Sequence, residues 1–238
     1  MSVARPDRAG LAAPRLYEGA ALAAVTGGCR RPGGLELTDR ALELAALPAG
    51  SRVLDVGCGD GLAVEHLVRR HAMRATGVDL SAALIQEGRR RRPGLDLRVG
   101  RAERLPFADG EFDAVLAECS LSVCADRSRA MAECARVVRD RGRLLVHDVC
   151  RLDDLPGRRR LLEEHGFTIL VWEDHSHLLG RLIWDILERH GSMAAFWRAA
   201  GVADPPAARG AGGLGYFLCV ARRGDGDGGS GDETAEAR

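Results

Sequence analysis

The sequence lacks the features that would point to a membrane or a nucleic acid as its main partner. No stretch of its 238 residues approaches the roughly 20 consecutive apolar residues that a membrane-spanning helix needs. Basic and acidic side chains balance at 34 each, so no excess of positive charge favours nucleic acid or an anionic membrane. Aromatic residues make up only 4%, which leaves few surfaces on which bases stack. We therefore expect neither nucleic acid nor a membrane as partner.

Disulfide and leader signals are also missing. The seven cysteines include no CxxC pair and follow no regular framework. The first ten residues carry charges but no apolar segment of the kind found in signal peptides. Free thiols are typical of a reducing compartment, so we expect a cytoplasmic protein. Composition does not predict an oligomeric state.

From residue 52 onward, short apolar runs alternate with helix-length segments. This alternation predicts βαβ crossovers and a parallel sheet. Predicted strands cover 52–56, 75–79, 96–99, 112–117, 143–149, 168–173 and 216–221, and predicted helices between them cover 62–71, 82–91 and 128–138.

Three regions follow from this pattern. Residues 1–50 form a lead-in with two helices, near 16–25 and 38–46. Residues 51–223 form the main α/β domain, which carries a helical insertion at 178–200 with Trp184, Phe196 and Trp197. Residues 224–238 have no apolar content apart from alanine, so we expect a disordered tail.

The most informative motif is a glycine loop, Asp-x-Gly-x-Gly-x-Gly, at residues 55–61. Its glycines let the backbone approach a ligand closely, and it leads into a helix N-terminus. A dinucleotide fingerprint needs glycine at position 62, where Leu62 stands. Asp79, at the end of the second strand, is placed to accept both hydroxyls of a ribose. The combination favours a nucleoside without a pyrophosphate over NAD or a flavin.

Four motifs in order resemble those of class I S-adenosylmethionine (SAM) dependent methyltransferases. They are the loop at 55–61, V-D-L-S at 78–81, E-R-L-P-F at 103–107 and F-D-A-V at 112–115. The resemblance is closest to the small-molecule branch that includes ubiquinone and menaquinone biosynthesis methyltransferases. It implies a Rossmann-like seven-stranded sheet in the order 3-2-1-4-5-7-6, with strand seven antiparallel and helices on both faces. It also implies SAM as the cofactor, lying across the carboxyl ends of strands one and two.

The resemblance assigns a cofactor contact to each part of SAM. Asp55 and the glycine loop would face the methionine portion, Asp79 the ribose and residues 100–103 the adenine. Arg101 departs from the family pattern, which usually has an aspartate there, because arginine has no acceptor for the adenine amino group. The full predicted set is Tyr17, Asp55, Gly57, Cys58, Gly59, Gly61, Asp79, Leu80, Arg101, Ala102, Glu103 and Glu118.

Methyl transfer asks the protein for positioning, exclusion of water and, for some substrates, a base. The candidates for catalysis are His147, Asp148 and Glu118, which lie at the ends of predicted strands. Side chains alternate along a strand, so His147 and Asp148 cannot both face one cavity. We also expect the insertion at 178–200 to cover the substrate side of the sheet. The predicted partner is a small molecule.

Two alternatives stay open. Arg101 and the short segment 151–166 are compatible with a protein that binds SAM without transferring its methyl group. Cys119, Cys124 and Cys150 near a methyl donor are similar to the thiols of arsenite methyltransferases, although the spacing differs. A zinc site drawn from Cys124, Cys150, His175 and His177 lacks the usual ligand-pair spacing, so no metal is expected.

Overall fold

The computed structural model describes residues 13–202 and 213–225, and within them a single seven-stranded sheet. The strands are β1 (Arg52–Val56), β2 (Arg74–Asp79), β3 (Asp96–Val99), β4 (Phe112–Glu118), β5 (Val138–Arg151), β6 (Phe167–Asp174) and β7 (Leu214–Arg223). Their order is β3-β2-β1-β4-β5-β7-β6. Strands β1 to β5 pair in parallel, and β7 runs antiparallel to β5 and β6. This arrangement confirms the predicted sheet.

Nine α-helices are present in the described ranges. They are α1 (Ala13–Glu18), α2 (Ala20–Val25), α3 (Gly34–Ala45), α4 (Leu62–His71), α5 (Ala82–Arg91), α6 (Arg127–Val137), α7 (Leu155–Glu164), α8 (Ser176–His190) and α9 (Met193–Ala199). The first lead-in helix is interrupted at Gly19, whereas the prediction had one helix at 16–25. The second begins at Gly34 instead of residue 38, because Gly33 adopts a left-handed conformation and starts the helix there.

Alternation along the strands divides the core into two apolar layers. Val53 and Leu145 face the layer formed with α3, α4 and α5, whereas Leu54 and Leu144 face the layer formed with α6 and α7. Strands buried on both faces read as continuous apolar runs, as the central strands of this sheet do. Helices therefore lie on both faces, as predicted.

The lead-in helices and the insertion pack on each other. Leu22 of α2 lies in one apolar cluster with Ile186 of α8 and Phe196 of α9. Trp197 packs against the same cluster, but the Trp184 residue is 69% exposed. The insertion thus supports the lead-in helices, and Trp184 does not take part in a cover over the sheet.

Two of the predicted regions lie wholly or partly outside the residues that the structure describes. The predicted disordered tail lies beyond the described residues except for Gly224 and Asp225, and so does the start of the lead-in before residue 13. Within the described part of the chain, no helix is both long and apolar enough to cross a membrane.

Candidate active site

A cavity of about 430 Å³ opens at the carboxyl ends of β1, β2 and β4. The glycine loop, residues 78–81 and residues 100–103 line it from the sheet side. Residues 17–18 and 28–31 of the lead-in line it from the opposite side. Open α/β sheets bind their ligands at this edge, so the cavity lies where the fold predicts a binding site.

The glycine loop turns tightly over the end of β2. The amides of Gly57 and Cys58 both donate to the carbonyl of Val78, at 2.8 and 3.1 Å. Gly57 has a φ of +83°, and a Cβ there would lie 2.4 Å from the Cβ of Ser120. Only glycine fits both the conformation and the space. The loop backbone is therefore held against the wall of the cavity.

Asp79 is fixed by two backbone amides. Its Oδ2 accepts from Gly59 N at 2.8 Å, and its Oδ1 accepts from Ser81 N, also at 2.8 Å. Burial raises the pKa of Asp79, although these two hydrogen bonds act in the opposite direction. Each carboxylate oxygen keeps a further lone pair for a ligand hydroxyl. Asp79 lines the cavity as a pre-positioned acceptor.

Asp55 lines the same cavity in a very different environment. The residue is only 2% exposed, and its carboxylate accepts no hydrogen bond from any described residue. Burial, and then the neighbouring Glu118 carboxylate, raise the pKa of Asp55 well above its usual range, and Arg31 offsets this only in part. A buried carboxylate without a partner attracts a cationic group.

Glu118, at the end of β4, is instead surrounded by partners. Arg31 Nη2 lies 2.6 Å from its Oε2, and the Thr38 hydroxyl donates to its Oε1 at 2.7 Å. His147 Nε2 is also 2.7 Å from Oε1. Burial alone would raise the pKa of Glu118, but Arg31 and His147 lower it to about 2. Glu118 is therefore a stable anion and a weak base.

Neither His147 nor Asp148 lines the cavity. His147 is fully buried beside Glu118, its register partner on β4, and its Nδ1 lies 3.3 Å from the Tyr216 hydroxyl. Asp148 faces the other side of the sheet and accepts from Ser122 N at 2.7 Å. The expected alternation holds, but on one face Glu118 and Tyr216 contact His147, and on the other face the loop after β4 contacts Asp148. The structure thus gives no support to either as a direct base.

Most of the predicted cofactor residues meet in the cavity. Its lining includes Tyr17, Asp55, Gly57, Cys58, Gly59, Asp79, Leu80, Arg101, Ala102, Glu103 and Glu118. Gly61 does not line it. Gly61 instead precedes α4 with a φ of +82°, and a Cβ there would lie 2.8 Å from the Leu97 side chain. Its role is therefore in packing.

The adenine end of the predicted site is polar. Arg101 Nε lies 3.5 Å from Glu103 Oε2. The other oxygen, Glu103 Oε1, accepts from Ala125 N at 3.1 Å. Glu103 thus pairs with Arg101, and it also connects this wall of the cavity to the loop after β4.

Several residues that line the cavity had no signal in the sequence. Arg31 stands in a segment that reads as a Gly/Pro turn, yet it forms the ion pair with Glu118. Glu18 of α1 accepts from the Ser81 hydroxyl at 2.6 Å, and Arg30 lies 3.4 Å from Asp60. These contacts fasten the lead-in over the cavity. They depend on tertiary packing and have no motif.

The cysteines do not gather at the cavity. Cys119 lies in the apolar layer with α3 and α4, whereas Cys150 lies in the layer with α6 and α7. Cys124 lines the cavity, but burial raises its pKa to about 12. Burial also raises the pKa of Cys150 to about 11. Cys119 thus lies on the opposite face from Cys124 and Cys150, and protonated thiols so placed give no support to a shared metalloid site. Among the described residues, no three of Cys124, Cys150, His175 and His177 bring their ligand atoms within 4.8 Å of one another. His175 pairs with Glu173 instead, at 2.9 Å.

Comparison with known proteins agrees with this geometry. Residues 54–146 match the model of a family described as a methyltransferase domain. Demethylmenaquinone methyltransferase of Beutenbergia cavernae is 39% identical over 115 residues, which are 48% of this chain and 48% of that protein. The chain thus spans about half the length of this curated relative.

Solved structures extend the likeness over most of the chain. The [4+2]-cyclase SpnF has a TM-score of 0.73 and 25% identity, covering 89% of this chain and 95% of that one. Phosphoethanolamine N-methyltransferase 2 of Haemonchus contortus, solved with SAM, has a TM-score of 0.71 and 16% identity, covering 86% and 56%. At that identity the second likeness shows the fold alone. These findings agree with the predicted class: residues 54–146 match a methyltransferase domain, and the chain has the Rossmann-like fold of that class.

Proposed function

We propose that this protein is a SAM-dependent methyltransferase that acts on a small molecule. The observation that carries the proposal is the pairing of two different carboxylates in one cavity. Asp79 is oriented by backbone amides to accept hydroxyl groups, and Asp55 is buried without a partner to attract a cation. SAM has both groups that such a cavity needs, a ribose diol and a cationic methionine portion.

The substrate class rests on the size of the cavity and on the relatives. A volume of about 430 Å³ lies within the range of small-molecule sites. The relative from Beutenbergia cavernae is named for a quinone substrate, and one from Amycolatopsis mediterranei is named for a rifamycin. Because the alignments cover less than half of this chain, they support a small organic acceptor without selecting one.

In the proposed reaction, bound SAM would supply the methyl group from its positively charged sulfur to the acceptor molecule. The rest of SAM would then leave as a neutral thioether. The protein contributes position and exclusion of water. The ion pair of Arg31 with Glu118 and the bond from Ser81 to Glu18 hold the lead-in closed over the cavity. Glu118 is too acidic to take a proton from most acceptors near neutral pH.

The predicted base at His147 remains testable by kinetics. Given its burial behind Glu118, we expect His147 to act as a positioning residue for that carboxylate. Once an acceptor is identified, His147→Gln should lower the rate without removing the acidic limb of the pH profile. Loss of that limb near pH 6–7, in this variant alone, would restore His147 as the base.

A second candidate is a protein that binds SAM but carries out no methyl transfer. One observation favours it: SpnF, which is 25% identical to this chain and is matched over 95% of its own length, is named as a [4+2]-cyclase. This fold is thus not confined to proteins named as methyltransferases. SAM binding without formation of S-adenosylhomocysteine, across a panel of small acceptors, would support this candidate.

Calorimetry with SAM is the decisive experiment for the binding site. Asp79→Ala should weaken SAM binding by about 2 kcal/mol, because two hydrogen bonds to a charged acceptor are lost. Asp153→Ala, a surface carboxylate paired with Arg151, is the matched control and should bind as the wild type does. If Asp79→Ala also binds SAM normally, the assignment of the cavity is wrong.

The seven cysteines, all free, support the expectation of a reducing, cytoplasmic location. Fractionation of the producing cell tests this expectation directly.

A further inference from the structure

Three potential metal ligands from two helices converge outside the cavity. Asp39 lies on α3, and His66 and His71 lie on α4. Nε2 of His66 is 2.5 Å from Oδ1 of Asp39, and Nε2 of His71 is 2.7 Å from the same oxygen. Within the described residues, this is the one group of three His, Cys, Asp or Glu side chains whose ligand atoms lie within 4.8 Å of one another.

We propose that Asp39, His66 and His71 bind a divalent transition-metal ion of the zinc class. Two imidazole nitrogens and one carboxylate oxygen form a donor set that Zn²⁺ accepts, with water completing a tetrahedral site. The carboxylate of Asp39 supplies a negative charge next to the two imidazole nitrogens, which favours a cation. This site is independent of the proposed methyl transfer, because none of its ligands lines the cavity.

The scaffold holds the ligands close to the required positions. Ala41 of α3 and Val64 and Leu67 of α4 are buried in one apolar layer, so the helices pack against each other. The side chains are 39%, 15% and 26% exposed for Asp39, His66 and His71, so an ion reaches them from solvent. Ligand atoms about 2.0–2.1 Å from Zn²⁺ stand roughly 3.3 Å apart in a tetrahedron. Small side-chain rotations therefore convert the hydrogen-bonded cluster into a coordinated one.

A bound ion would link α3 to α4, and both helices contact or carry residues that line the cavity. Thr38, the neighbour of Asp39, donates to Glu118, and α4 follows directly on the glycine loop. Coordination across α3 and α4 therefore links the partner of Glu118 to the helix that follows the glycine loop. The expected consequence is a stabilising ion, since a ligand that binds only the folded state raises the temperature of unfolding.

The test is a titration of the full chain with Zn²⁺ after treatment with a chelator. The wild type should bind one equivalent in a saturable manner, and Zn²⁺ should raise its melting temperature. Asp39→Asn, His66→Gln and His71→Gln should each weaken binding at least tenfold and reduce the shift in melting temperature. The double variant His175→Gln/His177→Gln, which removes another pair of histidines, is the matched control and should behave as the wild type does.

Cobalt distinguishes this site from the seven thiols. Co²⁺ bound by Asp39, His66 and His71 should absorb in the visible without the intense near-ultraviolet band of thiolate ligation. Circular dichroism of the metal-free variants establishes that each is folded, and His66→Gln and His71→Gln provide two separate tests. The proposal is overturned if the wild type shows no saturable binding, if folded variants bind Zn²⁺ as tightly as the wild type, or if the cobalt spectrum shows thiolate ligation.

Discussion

Asp55 and Glu118 are two buried carboxylates at the ends of neighbouring strands, on the same side of the sheet, and their electrostatic situations are opposite. Asp55 has no hydrogen-bond partner among the described residues, and burial raises its pKa well above the usual range. Glu118 has Arg31, Thr38 and His147 around it, and its pKa falls to about 2. The difference separates a carboxylate that holds the structure together from one that is available to a ligand.

The largest effect is expected from removing the cation beside Glu118. Arg31→Met leaves the buried Glu118 carboxylate without the arginine that neutralises it, which should lower the free energy of unfolding by about 3–5 kcal/mol. Urea denaturation measures this change. In the double variant Arg31→Met/Glu118→Gln the stranded charge is gone, so much of the loss should be recovered. If Arg31→Met alone is as stable as the wild type, the proposal that Glu118 is a structural anion is wrong.

The next effect concerns the ligand side of the comparison. Asp55→Asn should weaken SAM binding by about 1.5–3 kcal/mol, the range for a hydrogen bond to a charged group. A cation next to Asp55 favours its ionised form, so binding of SAM should release a proton when the pH is below the raised pKa. Calorimetry in buffers of different ionisation enthalpy measures that release. Equal affinity for SAM in wild type and variant contradicts the assignment of Asp55 to the cationic portion.

The same variant should also stabilise the ligand-free protein. The pKa of Asp55 is higher in the folded state than in the unfolded state. The contribution of Asp55 to stability is therefore fully present below its pKa in the unfolded state, and it is lost as the pH rises through its pKa in the folded state. At neutral pH, Asp55→Asn should therefore gain about 0.5–2 kcal/mol. Thermal melts should show this gain shrinking toward acid pH. A gain that is independent of pH would point to packing instead of ionisation.

The contribution of Glu118 to stability should depend on pH in the opposite way. Its folded pKa of about 2 lies below the ordinary value of 4.5, so its stabilising contribution is present above 4.5 and is lost as the pH falls from there toward 2. The stability difference between wild type and Glu118→Gln should therefore narrow over this interval in acid denaturation series. A constant difference would show that the ion pair with Arg31 does not control the titration.

The smallest effect is expected at the adenine end, away from both buried carboxylates. The Arg101 side chain is 55% exposed, and an aspartate at this position would restore the acceptor that the family pattern contains. Arg101→Asp should improve SAM binding by about 0.5–1.5 kcal/mol, with a change in stability of no more than about 0.5 kcal/mol. Calorimetry and thermal melts of the one variant check both statements. A loss of affinity would mean that Arg101 itself contacts the cofactor.

Much of the fold could be predicted, because its signals are local. Apolar runs such as 52–56 and 96–99 marked strands with their observed bounds, and the glycine loop marked the binding edge. Within the loop, however, Gly57 and Gly61 look equivalent in sequence. Only the packing against Ser120 and Leu97 shows that the first borders the cavity and the second a helix start.

The site was predicted less completely, for a physical reason. A position at a strand end indicates the edge of the sheet but not the neighbours that cover it. His147 and Asp148 meet that criterion, yet His147 is buried against Glu118 and Tyr216, and Asp148 is bound by the loop after β4. Arg31 does not lie at a strand end, yet the fold brings its Nη2 to 2.6 Å from Oε2 of Glu118.

The sequence by itself determined the class of this domain, since periodicity, glycine spacing and the order of four motifs act within short stretches of chain. Tertiary structure alone decided which carboxylate is paired and which is free, because a pKa depends on burial and on charges supplied by distant segments. It also decided that Asp39 meets His66 and His71, which lie 27 and 32 residues further along the chain. No local pattern encodes that contact, because it exists only where α3 packs on α4.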